Sequence, residues 1–136
     1  MITTMRLAEV LLAAGEPIEA LRLLSPIENQ LSEQASGQIL LGRVYYQTAQ
    51  LSRAQQVLEN AVRLRPADDA ARFLLGQVCE RRGRDAEAAE HYRTAMTQRP
   101  CPEYRERLEQ VLERLATTGG SVRSEDDDPG WLPHPA

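Results

Sequence analysis

The sequence contains no lysine, and all 16 of its basic residues are arginine. This excludes lysine chemistry, both the Schiff-base nucleophile and the phosphate-gripping lysine of a P-loop. Arginine in place of lysine, with abundant alanine, fits a GC-rich bacterial coding sequence. Aromatics are scarce at 4% of 136 residues, with Phe73 the single Phe and Trp131 the single Trp. A core this short of rings is built from Leu, Ala, Val and Ile, which suits closely packed helices better than a β-sandwich. No run approaches the roughly 18 apolar residues of a membrane-spanning helix, so no membrane partner is expected. Cys79 and Cys101 are the two cysteines and form no CxxC pair. They read as reduced thiols in a cytoplasmic protein.

An excess of positive charge is missing too. Residues 1–116 carry 15 Arg against 16 Asp and Glu. Residues 117–136 carry Arg123 against Glu125, Asp126, Asp127 and Asp128, so most of the net charge of −4 sits there. Nucleic-acid binders gain affinity by neutralising phosphates with a basic surface, so nucleic acid is not an expected partner. The opening MITTMRLAEVLLAAGEP has an apolar stretch after Arg6, but Glu9 interrupts it. Gly15-Glu16-Pro17 stands where a cleavage site would be. Helical spacing accounts for the stretch better, and no targeting segment is read.

What the chain does have is a period. Leu7, Leu41 and Leu75 stand 34 residues apart, as do Ala8, Gly42 and Gly76, and Ala20, Ala54 and Ala88. Leu24, Leu58 and Tyr92 follow the same step, Ala61 and Ala95 match, and Pro66 and Pro100 close two units. A period of roughly 20–50 residues marks stacked supersecondary units; here they are 1–34, 35–68 and 69–102. Each reads as two helices. In the third, Phe73, Leu74, Leu75, Val78 and Cys79 form one apolar face, and Ala88, Ala89, Tyr92, Ala95 and Met96 form another. Gly83 stops the first helix and Asp85 is the expected N-cap of the second. Ser52 with Gln55 reads as a capping box, and Pro17 suits a first helical turn. Pro26 falls inside the second helix of the first unit and is expected to split it. Ala8, Gly42 and Gly76 sit where the two helices of a unit meet, facing Ala20, Ala54 and Ala88. A larger side chain there would force the axes apart at roughly 1–3 kcal/mol.

This pattern resembles the tetratricopeptide repeat (TPR) family over residues 1–102. The resemblance implies an all-α fold, a right-handed helical solenoid of antiparallel helix pairs. Residues 103–116, EYRERLEQVLERLA, do not open a fourth unit, because Glu109 and Gln110 stand where Leu75 and Gly76 do. They read as a capping helix with Tyr104, Leu108, Val111, Leu112 and Leu115 on its apolar side. The repeat domain is then 1–116, and 117–136 reads as a flexible acidic tail. Within the tail, Trp131-Leu132-Pro133 resembles a short motif that docks in another protein or in this chain's own groove. The plainer reading is an inert solubilising tail.

The resemblance also implies a concave groove, lined by the first helix of each pair, that binds a peptide or helix of a partner protein. Phase assigns nine residues to it. Met5, Ile39 and Phe73 form an apolar row, Leu12, Tyr46 and Glu80 a second row, and Glu9, Arg43 and Gln77 a third. The apolar row either receives a hydrophobic segment or wedges between units as core. Arg43 is available to pair a carboxylate. Family members that grip the C-terminal carboxylate of heat-shock chaperones use Lys, Asn and Arg at places held here by Met5, Glu9, Leu40, Ala70 and Leu74. None matches.

No converging catalytic set is legible. His91 reads as a surface histidine, and His134 lies in the tail. Zinc needs ligands at ordered spacing, which Cys79, Cys101 and His91 do not supply, and Cys79 reads as a small core residue. The acidic run Glu125 to Asp128 lacks EF-hand spacing. Arg81, Arg82 and Arg84 beside Glu80, Asp85 and Glu87 read as an ordinary charged turn. No catalytic residue, metal or cofactor is assigned. The expected function is protein–protein interaction by an adaptor or scaffold that is not an enzyme. The alternatives are a dedicated chaperone or secretion-type escort of one client, and a regulatory subunit of an enzyme. The N-terminal face has no preceding cap, which leaves it open to homodimer formation.

Overall fold

The computed structural model describes residues 2–117. The acidic run, Trp131 and His134 lie outside the described residues. Among those described there are seven α-helices: α1 (Ile2–Ala13), α2 (Pro17–Leu24), α3 (Ala35–Gln47), α4 (Leu51–Leu64), α5 (Asp69–Arg81), α6 (Asp85–Gln98) and α7 (Pro102–Thr117). Each helix packs on its chain neighbour, α1 also touches α3, and α3 touches α5. Helices α1, α3 and α5 therefore form one inner row of an all-α solenoid. The starts of α2, α4 and α6 step by the sequence period, from Pro17 to Leu51 to Asp85.

The chain reverses in the same way three times. Gly15, Ala49 and Gly83 have φ of 81°, 61° and 79°. The following amide returns to the preceding helix each time: Glu16 to Leu11 at 2.8 Å, Gln50 to Tyr45 at 2.8 Å and Arg84 to Cys79 at 2.9 Å. This is the Schellman closure, which satisfies the last carbonyls of a helix. Gly83 is the helix stop expected of it. Ala49 fills the same left-handed position with a Cβ, at a cost of roughly 1–2 kcal/mol relative to an unstrained conformation.

The N-caps depart from expectation. Sequence spacing places caps at Ser52 and Asp85, but α4 begins at Leu51 behind Gln50, and α6 begins at Asp85 itself. The carbonyls of Gln50 and Arg84 already accept the first intrahelical bonds from Ala54 and Ala88. Ser52 and Asp85 are therefore inside the first turn. Asp68 is a side-chain cap that sequence reading missed; its Oδ1 accepts from the Ala71 amide at 3.0 Å. Pro17 opens α2 as expected. Pro26 does split the second helix of the first unit: α2 ends at Leu24 and a 3-10 segment runs from Ser25 to Leu31.

Close helix pairing rests on the small residues, with a corrected partner. A Cβ added at Gly42 would stand 2.5 Å from Leu58 Cγ, and one at Gly76 would stand 2.5 Å from Tyr92 Cε1. The facing side chains are thus Leu58 and Tyr92, one turn beyond Ala54 and Ala88, which are themselves fully buried. Leu41, Leu75, Val44 and Val78 are all buried. Their counterparts on α1, Leu7 and Val10, are 49% and 63% exposed, with no described helix packed over them.

Candidate partner-binding site

The inner face is built from α3 and α5 and closed at one end by α7. Tyr46 near the end of α3, with Gln77, Glu80 and Arg81 on α5, lines a cavity of about 430 Å³. Asp85 from α6 and Arg107 and Arg114 from α7 complete its wall. Arg81 lies over the Tyr46 ring, 4.7 Å from the centroid, and donates to the Tyr46 carbonyl at 3.3 Å. Such stacking fixes the guanidinium plane while leaving its edge toward solvent.

Glu80 is the fixed point of this wall. It accepts from Tyr92 Oη at 2.7 Å and from Arg114 Nη2 at 2.8 Å, and Arg107 Nε stands 3.9 Å away. Arg114 also binds Asp85 at 3.0 Å. These hydrogen bonds, first to Asp85 and then to Glu80, raise the Arg114 pKa and keep it charged. Burial pushes the Tyr92 phenol pKa up, reinforced by Glu80. Three arginines face two carboxylates, so the wall carries one net positive charge and is suited to an anionic group on a partner.

The nine phase-assigned residues fall in five settings. Tyr46, Gln77 and Glu80 line the one cavity. Met5 and Leu12 are half-buried against the core, Ile39 is half-buried, and Arg43 is exposed. Glu9 lines a separate depression at the N-terminal end with Arg6, Val10 and Ala13. Phe73 does not face the groove. It is 7% exposed, its ring 4.5 Å from that of Tyr104 and 5.2 Å from that of Tyr92. The apolar row therefore ends in core where α7 packs down on it. Arg81, Asp85, Arg107 and Arg114 are the residues that sequence reading missed. Arg107 and Arg114, seven apart, share the α7 face that also carries Leu108 and Val111, and that spacing was the available signal.

On the α4–α6 side, His91 is not the surface residue expected. It is half-buried, and its ring meets Cys79 and Glu87, the three ligand atoms all lying within 4.8 Å of one another. Burial, then the charge of Arg72, lowers the His91 pKa. Burial, then the neighbouring Glu87, pushes the Cys79 thiol up to about 12. Cys101 takes no part, and both cysteines are free.

A tetratricopeptide repeat model matches residues 39–102, and a second one matches residues 2–26. The chain belongs to the tetratricopeptide repeat family. No curated protein matches this repeat protein by sequence. Its fold is similar to the first TPR of Spaghetti (RPAP3) bound to the HSP90 peptide SRMEEVD. The TM-score is 0.79 at 16% identity, over 85% of this chain and 92% of that one. It is similar to MamA, at TM-score 0.68 and 18% identity over 86% and 79%. It is also similar to the Yersinia enterocolitica type III secretion chaperone SycD in complex with a peptide of the translocator YopD, at TM-score 0.73 and 16% identity over 86% and 92%. At these identities the likeness is one of fold.

Proposed function

We propose that this TPR protein is a non-enzymatic interaction module that holds a partner peptide or helix against its inner face. The observation that carries the reading is the cavity beside Tyr46, where Arg81 and Arg107 sit at the rim of a wall with excess positive charge. An acidic side chain or terminal carboxylate of the partner would seat there, and the half-buried Ile39 would meet an apolar residue beside it. Two of the similar structures hold peptides, which supports a peptide as the ligand. The residues that the family resemblance implies for a grip on a heat-shock chaperone tail are absent at Met5, Glu9, Leu40, Ala70 and Leu74, which argues against such a tail as the ligand. The role is assigned to residues 1–116, in a reducing, cytoplasmic compartment in keeping with two free thiols.

The test is affinity purification from the native host with wild type and an Arg81→Glu, Arg107→Glu double variant. Partners should disappear from the variant while its far-UV circular dichroism stays unchanged. Retention of the same partners would overturn the assignment. A homodimer through α1 is favoured by the exposed Leu7 and Val10. Sedimentation velocity should then show a concentration-dependent dimer that Val10→Arg abolishes.

A further inference from the structure

We propose that Cys79, Glu87 and His91 form a binding site for a single zinc ion, with water completing the coordination. Glu87 and His91 are one turn apart on α6, so they present their side chains to the same side. Cys79 comes from α5, packed directly against α6. The three ligand atoms lie within 4.8 Å of one another. Bonds of about 2.0–2.3 Å to zinc place tetrahedral ligands roughly 3.3–3.8 Å apart, so the side chains need to close by about 1 Å. Thiolate and imidazole together select zinc over magnesium or calcium, which take oxygen donors.

The repeat supplies an independent argument. The same three positions hold Leu11, Glu19 and Leu23 in the first unit and Tyr45, Arg53 and Val57 in the second. In the second unit the equivalent positions are also brought together, since Arg53 acts on the Tyr45 hydroxyl. A complete ligand set occurs only in the third unit. Cys79 there replaces the bulky Tyr45, and His91 replaces Val57. The surroundings are polar as well: Gln55 Nε2 donates to Glu59 Oε2 at 3.1 Å and to Glu87 Oε2 at 3.5 Å. Outer contacts of this kind orient a metal-binding carboxylate. Glu59 adds negative charge felt at both Cys79 and His91, set against the positive charge of Arg84 at Cys79 and of Arg72 at His91. On binding, the Cys79 thiol releases its proton to solvent and its sulfur bonds the metal.

Zinc chloride titrated into the full chain against a chromophoric chelator tests the site, with cobalt(II) as the optical probe. One equivalent should bind, and cobalt should give a thiolate charge-transfer band. Cys79→Ser should abolish the band, and both Cys79→Ser and His91→Gln should weaken zinc by about 100-fold or more, exceeding the loss of an outer contact. Cys101→Ser and His134→Gln should bind as wild type. If Cys79→Ser does not fold, His91→Gln and Glu87→Gln decide, being at half-buried positions. Absence of stoichiometric binding, or binding that depends on Cys101 or His134 and not on His91, overturns the site.

Discussion

Arg114 of α7 grips Asp85 in the first turn of α6 through two hydrogen bonds, Nε to Oδ2 at 3.0 Å and Nη2 to Oδ1 at 3.1 Å. The same guanidinium reaches Glu80 on α5, so one side chain ties three helices at the edge of the cavity. Arg114→Ala leaves the buried Asp85 carboxylate without these bonds. A loss of about 2 kcal/mol is expected, below the range for fully buried pairs because Arg114 is itself half-exposed. Urea denaturation measures it; a midpoint equal to wild type would show that the grip contributes nothing.

Phe73 belongs to the core and not to the binding face. Phe73→Ala should cost about 3–5 kcal/mol, the range for deleting a buried phenyl group, and should loosen α7 through lost stacking on Tyr104. Ile39→Glu, on the half-buried face of α3, should change stability much less while weakening partner binding. Comparable destabilisation by the two would contradict the separation of core from groove.

Ala49→Gly should stabilise the protein by roughly 0.5–1 kcal/mol, because it relieves left-handed strain at more than the entropic cost of the glycine. Gly83→Ala should do the reverse. Thermal melts of the two variants should move in opposite directions. Melts that move together would mean that the two turns differ in ways their shared hydrogen bonds do not show.

Alkaline pH should unfold the chain through its tyrosines. Burial, reinforced by Glu28, Glu80 and Asp69 respectively, raises the pKa of Tyr45, Tyr92 and Tyr104, the last to about 12. The folded state therefore keeps the neutral phenol while unfolded tyrosine ionises near its usual value of about 10. This contribution to stability is fully present below pH 10 or so and is lost as pH rises through the folded values. Tyrosinate absorbance should rise together with loss of helical circular dichroism. Full ionisation near pH 10 with the helices intact would refute the assignment.

The architecture was legible because the period is a property of residue types in phase: Gly42 with Gly76, Ala54 with Ala88, Leu58 with Tyr92. The break at Pro26 was legible from proline chemistry alone. The site was legible in part. Tyr46, Gln77 and Glu80 follow from the phase of the inner helices, whereas Arg107 and Arg114 come from α7, which does not repeat and whose docking no period predicts. Phe73 was misplaced for the same reason, since α7 buries a ring that phase alone leaves open. Cys79 and His91 are 12 positions apart, with Glu87 between them on a second helix. Their meeting depends on how α5 turns back into α6 at Gly83, a three-dimensional fact that linear ligand spacing does not encode.

The uncovered Leu7 and Val10 give the molecule a gradient. In a stack where each helix pair is stabilised by its neighbours, α7 seals one end while α1 has support on one side only. Backbone amides of α1 should exchange with solvent first and those of α5 and α6 last. The chain should open from the N-terminal end inward, one helix pair at a time, with the cavity at Tyr46 surviving until late.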